Sequence, residues 1–170
     1  GFLVVEEGWR LFKSATFQEG WGTVQDVSAG LAVCLLDPQP GESVLDLCAA
    51  PGGKTGFIAE RMEDRGRVVA LDRNAGRLRR LRESIRRLGL RSVETDVVDA
   101  LTADPGGGFD RVLVDVPCSG LGVLARRPDV RWRRQESDLQ ELSEVQMRLL
   151  VRGAACVRRG GIAVYSTCTT

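Results

Sequence analysis

Two cysteines in this sequence stand where a thiolate could act. Cys118 lies in Asp115-Val116-Pro117-Cys118-Ser119-Gly120, directly past an apolar run, and Cys168 closes the run Ile162-Ala163-Val164-Tyr165-Ser166-Thr167-Cys168. A thiolate is a strong nucleophile, but a free thiol titrates near about 8.5, so a site that uses one must lower that value with a nearby positive charge. Lys54 or a cationic cofactor could supply it. If the two runs are neighbouring strands, their ends lie about 5 Å apart and both thiols flank one pocket. The bland readings are a chance pair of buried thiols or a redox couple, and a reducing cytoplasm disfavours a disulfide. Cys34 and Cys156 fall within apolar helical patterns and read as small core residues.

The second chemical feature is Leu45-Asp46-Leu47-Cys48-Ala49-Ala50-Pro51-Gly52-Gly53-Lys54-Thr55. An apolar strand over 44–47 runs into a turn of small residues, and a helix over 55–62 follows at once. Strand, glycine turn and helix open a nucleotide-binding α/β unit, in which glycine lets the backbone approach the ligand and the helix presents free N–H groups. The stretch is neither G-x-G-x-x-G nor a P-loop with its four-residue spacer. It therefore suits an adenosine-like cofactor better than a phosphate. Asp72 follows the turn by about twenty residues at a second strand's end, where a carboxylate takes ribose hydroxyls; the alternative is an aspartate that stabilises the next helix through its dipole. Asp99 could accept from an adenine amine, and Asp96 competes for that role.

The elements that position these residues alternate between strand and helix. Thr23-Val24-Gln25-Asp26 has the form of a helix start, with Val27, Leu31, Cys34 and Leu35 at inward spacing before Pro38 and Pro40. Strands are expected at 67–72, 93–98, 111–115 and 162–168. Asn74 caps a helix whose apolar face is Leu78, Leu81, Ile85 and Leu88, whose other face is arginine-rich, and which Gly89 closes. A last helix over 136–158, with Leu139, Leu142, Val145, Leu149 and Leu150 inward, is ended by Gly160-Gly161. This alternation predicts an α/β fold: a doubly wound, mostly parallel, Rossmann-like sheet with helices on both faces. Ligands of such sheets sit outside the strands' carboxyl ends, which here carry Cys48, Asp72, Asp99, Asp115, Cys118 and Cys168.

Composition narrows the chemistry further. The sequence has 170 residues, five cysteines, no histidine and a formal charge of +1. Without histidine, Ser-His-Asp and Cys-His catalysis and histidine-bound metals are excluded, and no C-x-x-C pair supports zinc. No metal is expected. There is no long apolar run and no signal-peptide pattern, which points away from membranes and secretion; five cysteines without an even framework fit a reducing cytoplasm, and a monomer is expected.

Several blocks in order resemble one family. Phe17-Gln18-Glu19-Gly20-Trp21 with Val24-Gln25-Asp26, the Asp46–Thr55 turn, Asp115-Val116-Pro117-Cys118-Ser119-Gly120, Arg127-Pro128-Asp129 with Trp132, and Gly160-Gly161 leading to Tyr165-Ser166-Thr167-Cys168 are similar to the Nol/Nop/Sun RNA (cytosine-5) methyltransferases, nearest the bacterial branch acting on 16S ribosomal RNA. The resemblance implies a class I methyltransferase sheet whose final strands lie beyond this sequence. Residues 1–22 would be the edge of an N-terminal region or linker packing on the core, and residues 23–170 the catalytic domain. It implies S-adenosyl-L-methionine as cofactor, lined by Cys48, Ala49, Ala50, Pro51, Gly52, Gly53 and Lys54, with Asp72 on the ribose, Asp99 on the adenine and Asp115 between cofactor and base. Cys168 would be the nucleophile toward cytosine C6, and Cys118 would assist breakdown of the adduct. The partner would be RNA, with the arginine-rich stretch 126–134 and Trp132 as a candidate contact. Transfer RNA as substrate, a DNA enzyme using Cys118 as nucleophile, a dinucleotide oxidoreductase and a non-catalytic RNA-binding fragment are the competing readings.

Overall fold

The computed structural model describes residues 8–102, 104–124, 128–132 and 135–168. Five strands, β1 (Ser43–Asp46), β2 (Arg67–Asp72), β3 (Val93–Val97), β4 (Phe109–Asp115) and β5 (Val157–Ser166), form one sheet in the order β3-β2-β1-β4-β5. Every pairing is parallel. The order reverses direction at β1, so β1 and β4 diverge into a crevice at their carboxyl ends, the usual ligand site of a doubly wound sheet.

Side-chain alternation assigns the two faces. Leu45, Leu47, Val112 and Val114 pack toward Leu149 and Cys156 of α6 (Glu136–Cys156). Val44, Val68 and Leu113 point the other way, onto α3 (Val27–Leu36) and α4 (Gly53–Arg61). Leu78 and Leu81 of α5 (Ala75–Leu88) close the same side over Ala70. Asn74 caps α5 by accepting from Arg77 N at 2.9 Å, and Gly89 ends it in the left-handed region. Ahead of the sheet come α1 (Gly8–Leu11) and α2 (Ala15–Gln18), and α2 meets the end of α5. There Arg87 donates to the carbonyls of Phe17 and Gly22, and its guanidinium lies 3.9 Å over the Phe17 ring.

Several expectations are corrected. The third helix starts at Val27, not Thr23, because the Asp26 carboxylate caps it by accepting from Ser28 N at 2.8 Å. Its buried face is Ala32, Val33 and Leu36, whereas Val27, Leu31, Cys34 and Leu35 are exposed. The helix is apolar all round, so spacing alone could not choose the face. Cys156 is buried as expected. In α6, Leu139 is exposed and the inward positions are Leu149, Gly153 and Cys156.

Gly160-Gly161 does not end α6, which stops at Cys156; the pair lies inside β5. The β4–β5 register shifts between Phe109 and Arg111, Gly160 has φ +78°, and a Cβ at Gly161 would meet the Asp110 carbonyl oxygen at 2.6 Å. Glycine is needed there for a bulge between strands rather than for a helix stop.

At Gly153 a Cβ would lie 2.4 Å from Val114 Cγ2, so α6 touches β4 at this point with no room for a methyl group. Valine is stiff at χ1 and cannot swing aside freely. Gly153→Ala is therefore expected to destabilise the chain by about 1–3 kcal/mol despite alanine's better helix propensity. Gly22→Ala, with nothing within 4 Å, serves as the control with no such loss. Urea midpoints of the two variants check this.

Candidate functional site

A cleft of about 680 Å³ opens at the carboxyl ends of the strands, within the range of small-molecule sites. Cys48, Pro51, Asp72, Asp99, Asp115, Cys118 and Cys168 all line it. Of the two carboxylates considered for the adenine contact, Asp99 lines the cleft, where Oδ1 also accepts from Leu101 N at 2.9 Å; Asp96 is exposed on β3 and accepts only from Val97 N.

The remaining residues of the glycine turn build the floor instead of lining the cleft. Ala49 and Ala50 are buried, and Ala50 N donates to Asp72 Oδ2 at 3.1 Å. Gly52, at φ +106°, precedes α4; a Cβ there would sit 2.6 Å from Leu81 Cγ, so only glycine lets the turn lie against α5. Gly53 begins α4, and Lys54 Nζ donates to Asp115 Oδ2 at 2.7 Å. This contact links the floor of β1 to the end of β4.

Asp72 is buried at the end of β2. Its Oδ1 accepts from Asn74 N at 2.8 Å at the start of α5, and its side chain lines the cleft. Arg77 donates to the Ala50 carbonyl, and its guanidinium lies 4.0 Å from Asp72. The turn is thus tied to β2 from both sides.

Cys118 and Cys168 meet at the far side of the cleft. Their Cα atoms are 6.1 Å apart and the two sulfurs form a disulfide. This corrects the expectation of two separate thiols. The cause is register: β4 and β5 pair directly, Asp115 opposite Ser166, which leaves the two cysteines side by side just past the paired residues. Gln146 of α6 fixes the approach by donating to the Pro117 carbonyl at 2.8 Å, while Tyr165 Oη donates to its Oε1 at 3.2 Å. Cys48 has a different character. Burial, reinforced by Asp46, Asp72 and Asp115, pushes its thiol up to about 12, so it stays protonated.

Arg73, Arg77 and Arg80 also line the cleft, while Asp46 lies beneath it and Gln146 braces the loop at its edge; the sequence reading gave none of these five a role at the site. For Asp46 a signal existed: it is a carboxylate inside an apolar strand. It is fully buried, Thr55 Oγ1 donates to its Oδ2 at 2.8 Å, Oδ1 lacks a hydrogen bond of full geometry, and the Cys48 backbone N–H gives the carboxylate a weaker one. Burial pushes its carboxyl up to about 7.

Of the arginine-rich stretch, residues 126, 127, 133 and 134 lie outside the described residues; Trp132 ends a 3₁₀ turn, Pro128–Trp132, and is 84% exposed. Among the described residues no helix is long and apolar enough to cross a membrane, and no cluster of acidic and cysteine side chains is poised for a metal.

The folded chain holds the Asp46 proton up to about pH 7, while an unfolded carboxyl near 3.8 has already lost it. The folded state therefore binds more protons between those values, and its stability falls as pH rises through that window. Asp46→Asn is expected to show a smaller loss of melting temperature between about pH 5 and pH 8 than the wild type. Equal losses would place the proton elsewhere.

Comparison with known proteins bears on what this cleft does. The family model described as 16S rRNA methyltransferase RsmB/F matches residues 33–170. Over 156 residues, 90% of this chain, the sequence is 49% identical to a Synechocystis protein named "Probable ribosomal RNA small subunit methyltransferase B" and 46% identical to the ribosomal RNA small subunit methyltransferase B of Yersinia enterocolitica. The matches cover 35% and 36% of those proteins, so the chain spans about a third of the length of the curated relatives it matches. Among solved structures it is similar to NSun6 from Pyrococcus horikoshii with SFG, with a TM-score of 0.86 and 34% identity over 94% of this chain and 41% of that one. It is also similar to a methyltransferase homolog protein from the same organism, with a TM-score of 0.81 and 36% identity over 92% of this chain and 49% of that one.

Proposed function

Because the chain belongs to the 16S rRNA methyltransferase RsmB/F family, we propose that it forms the catalytic core of an enzyme that methylates cytosine C5 in RNA, with small-subunit ribosomal RNA as the substrate. The observation that carries this reading is the meeting of Cys118, Cys168 and Asp115 in the same cleft as Asp72 and Asp99. The glycine turn lacks the G-x-G-x-x-G fingerprint of a dinucleotide oxidoreductase, and the sequence offers no histidine for Ser-His-Asp or Cys-His hydrolysis.

The cleft suits S-adenosylmethionine. Three carboxylates, Asp72, Asp99 and Asp115, line it, a fitting environment for a sulfonium cation. Asp72 would hold the ribose and Asp99 the adenine, while Cys48, held protonated, forms an uncharged wall. When bound, the cofactor supplies an electrophilic methyl group.

Cytosine C5 is too electron-poor to take that methyl unaided. In the reduced enzyme, the Cys168 thiolate adds to C6, breaking the aromatic conjugation and leaving C5 electron-rich. Asp115 holds the N3/N4 edge of the base, where charge builds during attack. Its Oδ2 is already taken by Lys54, which leaves Oδ1 to face the substrate. After C5 gains the methyl group it carries a surplus proton; Cys118 assists its removal, the C6–sulfur bond breaks, and the ring double bond returns. Trp132, exposed at the end of the 3₁₀ turn Pro128–Trp132, would stack a splayed base of the RNA strand.

A cytosine-5 DNA methyltransferase would instead use the cysteine after proline, Cys118, as nucleophile. Two variants of the full-length protein separate the readings. Cys168→Ala is expected to abolish methyl transfer to ribosomal RNA, and Cys118→Ala to accumulate a covalent RNA–protein adduct on denaturing gels. Reversed phenotypes would assign the nucleophile to Cys118.

A further inference from the structure

The β1 carboxylate is the one buried acid at this edge that the proposed chemistry leaves unused. Alternation along β1 places Asp46 on the α4 side with Val44, and Thr55 of α4 donates to it at 2.8 Å while itself being fully buried. Thr55 directly follows Lys54, whose ammonium meets Asp115 at 2.7 Å. One turn of helix thus carries two adjacent residues, one tied down to Asp46 and one reaching forward to Asp115.

We infer that Asp46 is a positioning residue that decides which carboxylate Lys54 serves: held un-ionised beneath the turn, it anchors α4 through Thr55 and leaves the Lys54 ammonium to Asp115 alone. The inference rests on the methyl-transfer reading only for its catalytic consequence.

The physical case is one of competition. Asp46 is fully buried, its Oδ1 lacks a hydrogen bond of full geometry, and beyond the Thr55 hydroxyl only the Cys48 backbone N–H supports the carboxylate, a costly arrangement for an ionised group and a tolerable one for a carboxyl that keeps its proton. The charged and titratable groups that act on Asp46 are Asp115 from β4, which disfavours its ionisation, and Lys54 from α4, which favours it. Cys48 lies two residues further on, in the turn that follows β1, and remains protonated, and Asp72 at the end of β2 acts on Cys48 in the same sense as Asp46 does. Loss of the Asp46 proton would set a second full negative charge beneath Lys54, on a side chain that is itself fully buried, where it would draw the ammonium off Asp115. Asp115 would then face the base without its counter-ion.

The test uses the full-length protein. Asp46→Asn keeps the un-ionised pattern, with the amide oxygen accepting from Thr55 and the NH2 group at the Oδ1 position. It is expected to retain kcat within about threefold at mildly acidic pH and to lose the fall in kcat that the wild type shows as Asp46 ionises. Thr55→Val is expected to lower kcat more than about tenfold while KM for S-adenosylmethionine changes less than about threefold.

A readout independent of turnover accompanies these assays: carbon-13 NMR of labelled aspartate, with nitrogen-15 signals of Lys54. One carboxyl should titrate near neutrality, the Lys54 signal should move with it, and both changes should vanish in Asp46→Asn. An Asp46→Asn enzyme with the wild-type pH profile, or one that is folded yet inactive at every pH, overturns the inference. An intact NMR titration in a protein that methylates no RNA would uphold the Asp46–Lys54 coupling and defeat the methyl-transfer reading instead.

Discussion

Lys54 and Asp115, 2.7 Å apart, bridge the two strands that diverge at the sheet's switch point. One comes from the first turn of α4 and the other from the end of β4, so the ion pair spans the mouth of the crevice. Both side chains are partly screened from water, at 17% and 30% exposure, so removing either would leave an uncompensated charge at the cleft. The bridge joins the glycine turn, through α4, to the strand end that leads into the Cys118 loop.

The parallel sheet explains why so many reactive groups share one edge. All five strands point the same way, so each delivers its last side chains to the same rim. The helices then sort these groups by burial. Asp46 is sealed under α4, Cys48 is kept protonated at the wall, and Asp115, Cys118 and Cys168 remain accessible to a ligand in the cleft. One rim thereby carries acids with distinct electrostatic roles, set by depth rather than by residue type.

Much of this was legible in the sequence because it rests on local signals. The Asn74 cap, the Gly89 stop and the apolar Leu78–Leu81 face of α5 follow from capping and period alone. The glycine turn announced itself through spacing, and the adjacency of Cys118 and Cys168 followed from the expected strand order. What could not be read depends on tertiary packing. The buried side of α3 was indeterminate because the helix is apolar around its circumference, and Cys34 was misplaced with it. Gly160-Gly161 looks like a helix stop, yet its glycines are needed where β5 approaches Asp110 too closely for side chains. The role of Gln146 as a brace between the Pro117 carbonyl and Tyr165 left no trace in periodicity or composition.

The central claim is that the thiol at the end of β5, not the one after β4, bonds to the target base. RNA carrying 5-fluorocytosine tests it most directly, because fluorine at C5 cannot leave as a proton does and the adduct cannot collapse. Mass spectrometry of the trapped full-length protein should find the nucleotide on the peptide that contains Cys168. A nucleotide on the Cys118 peptide would contradict the account.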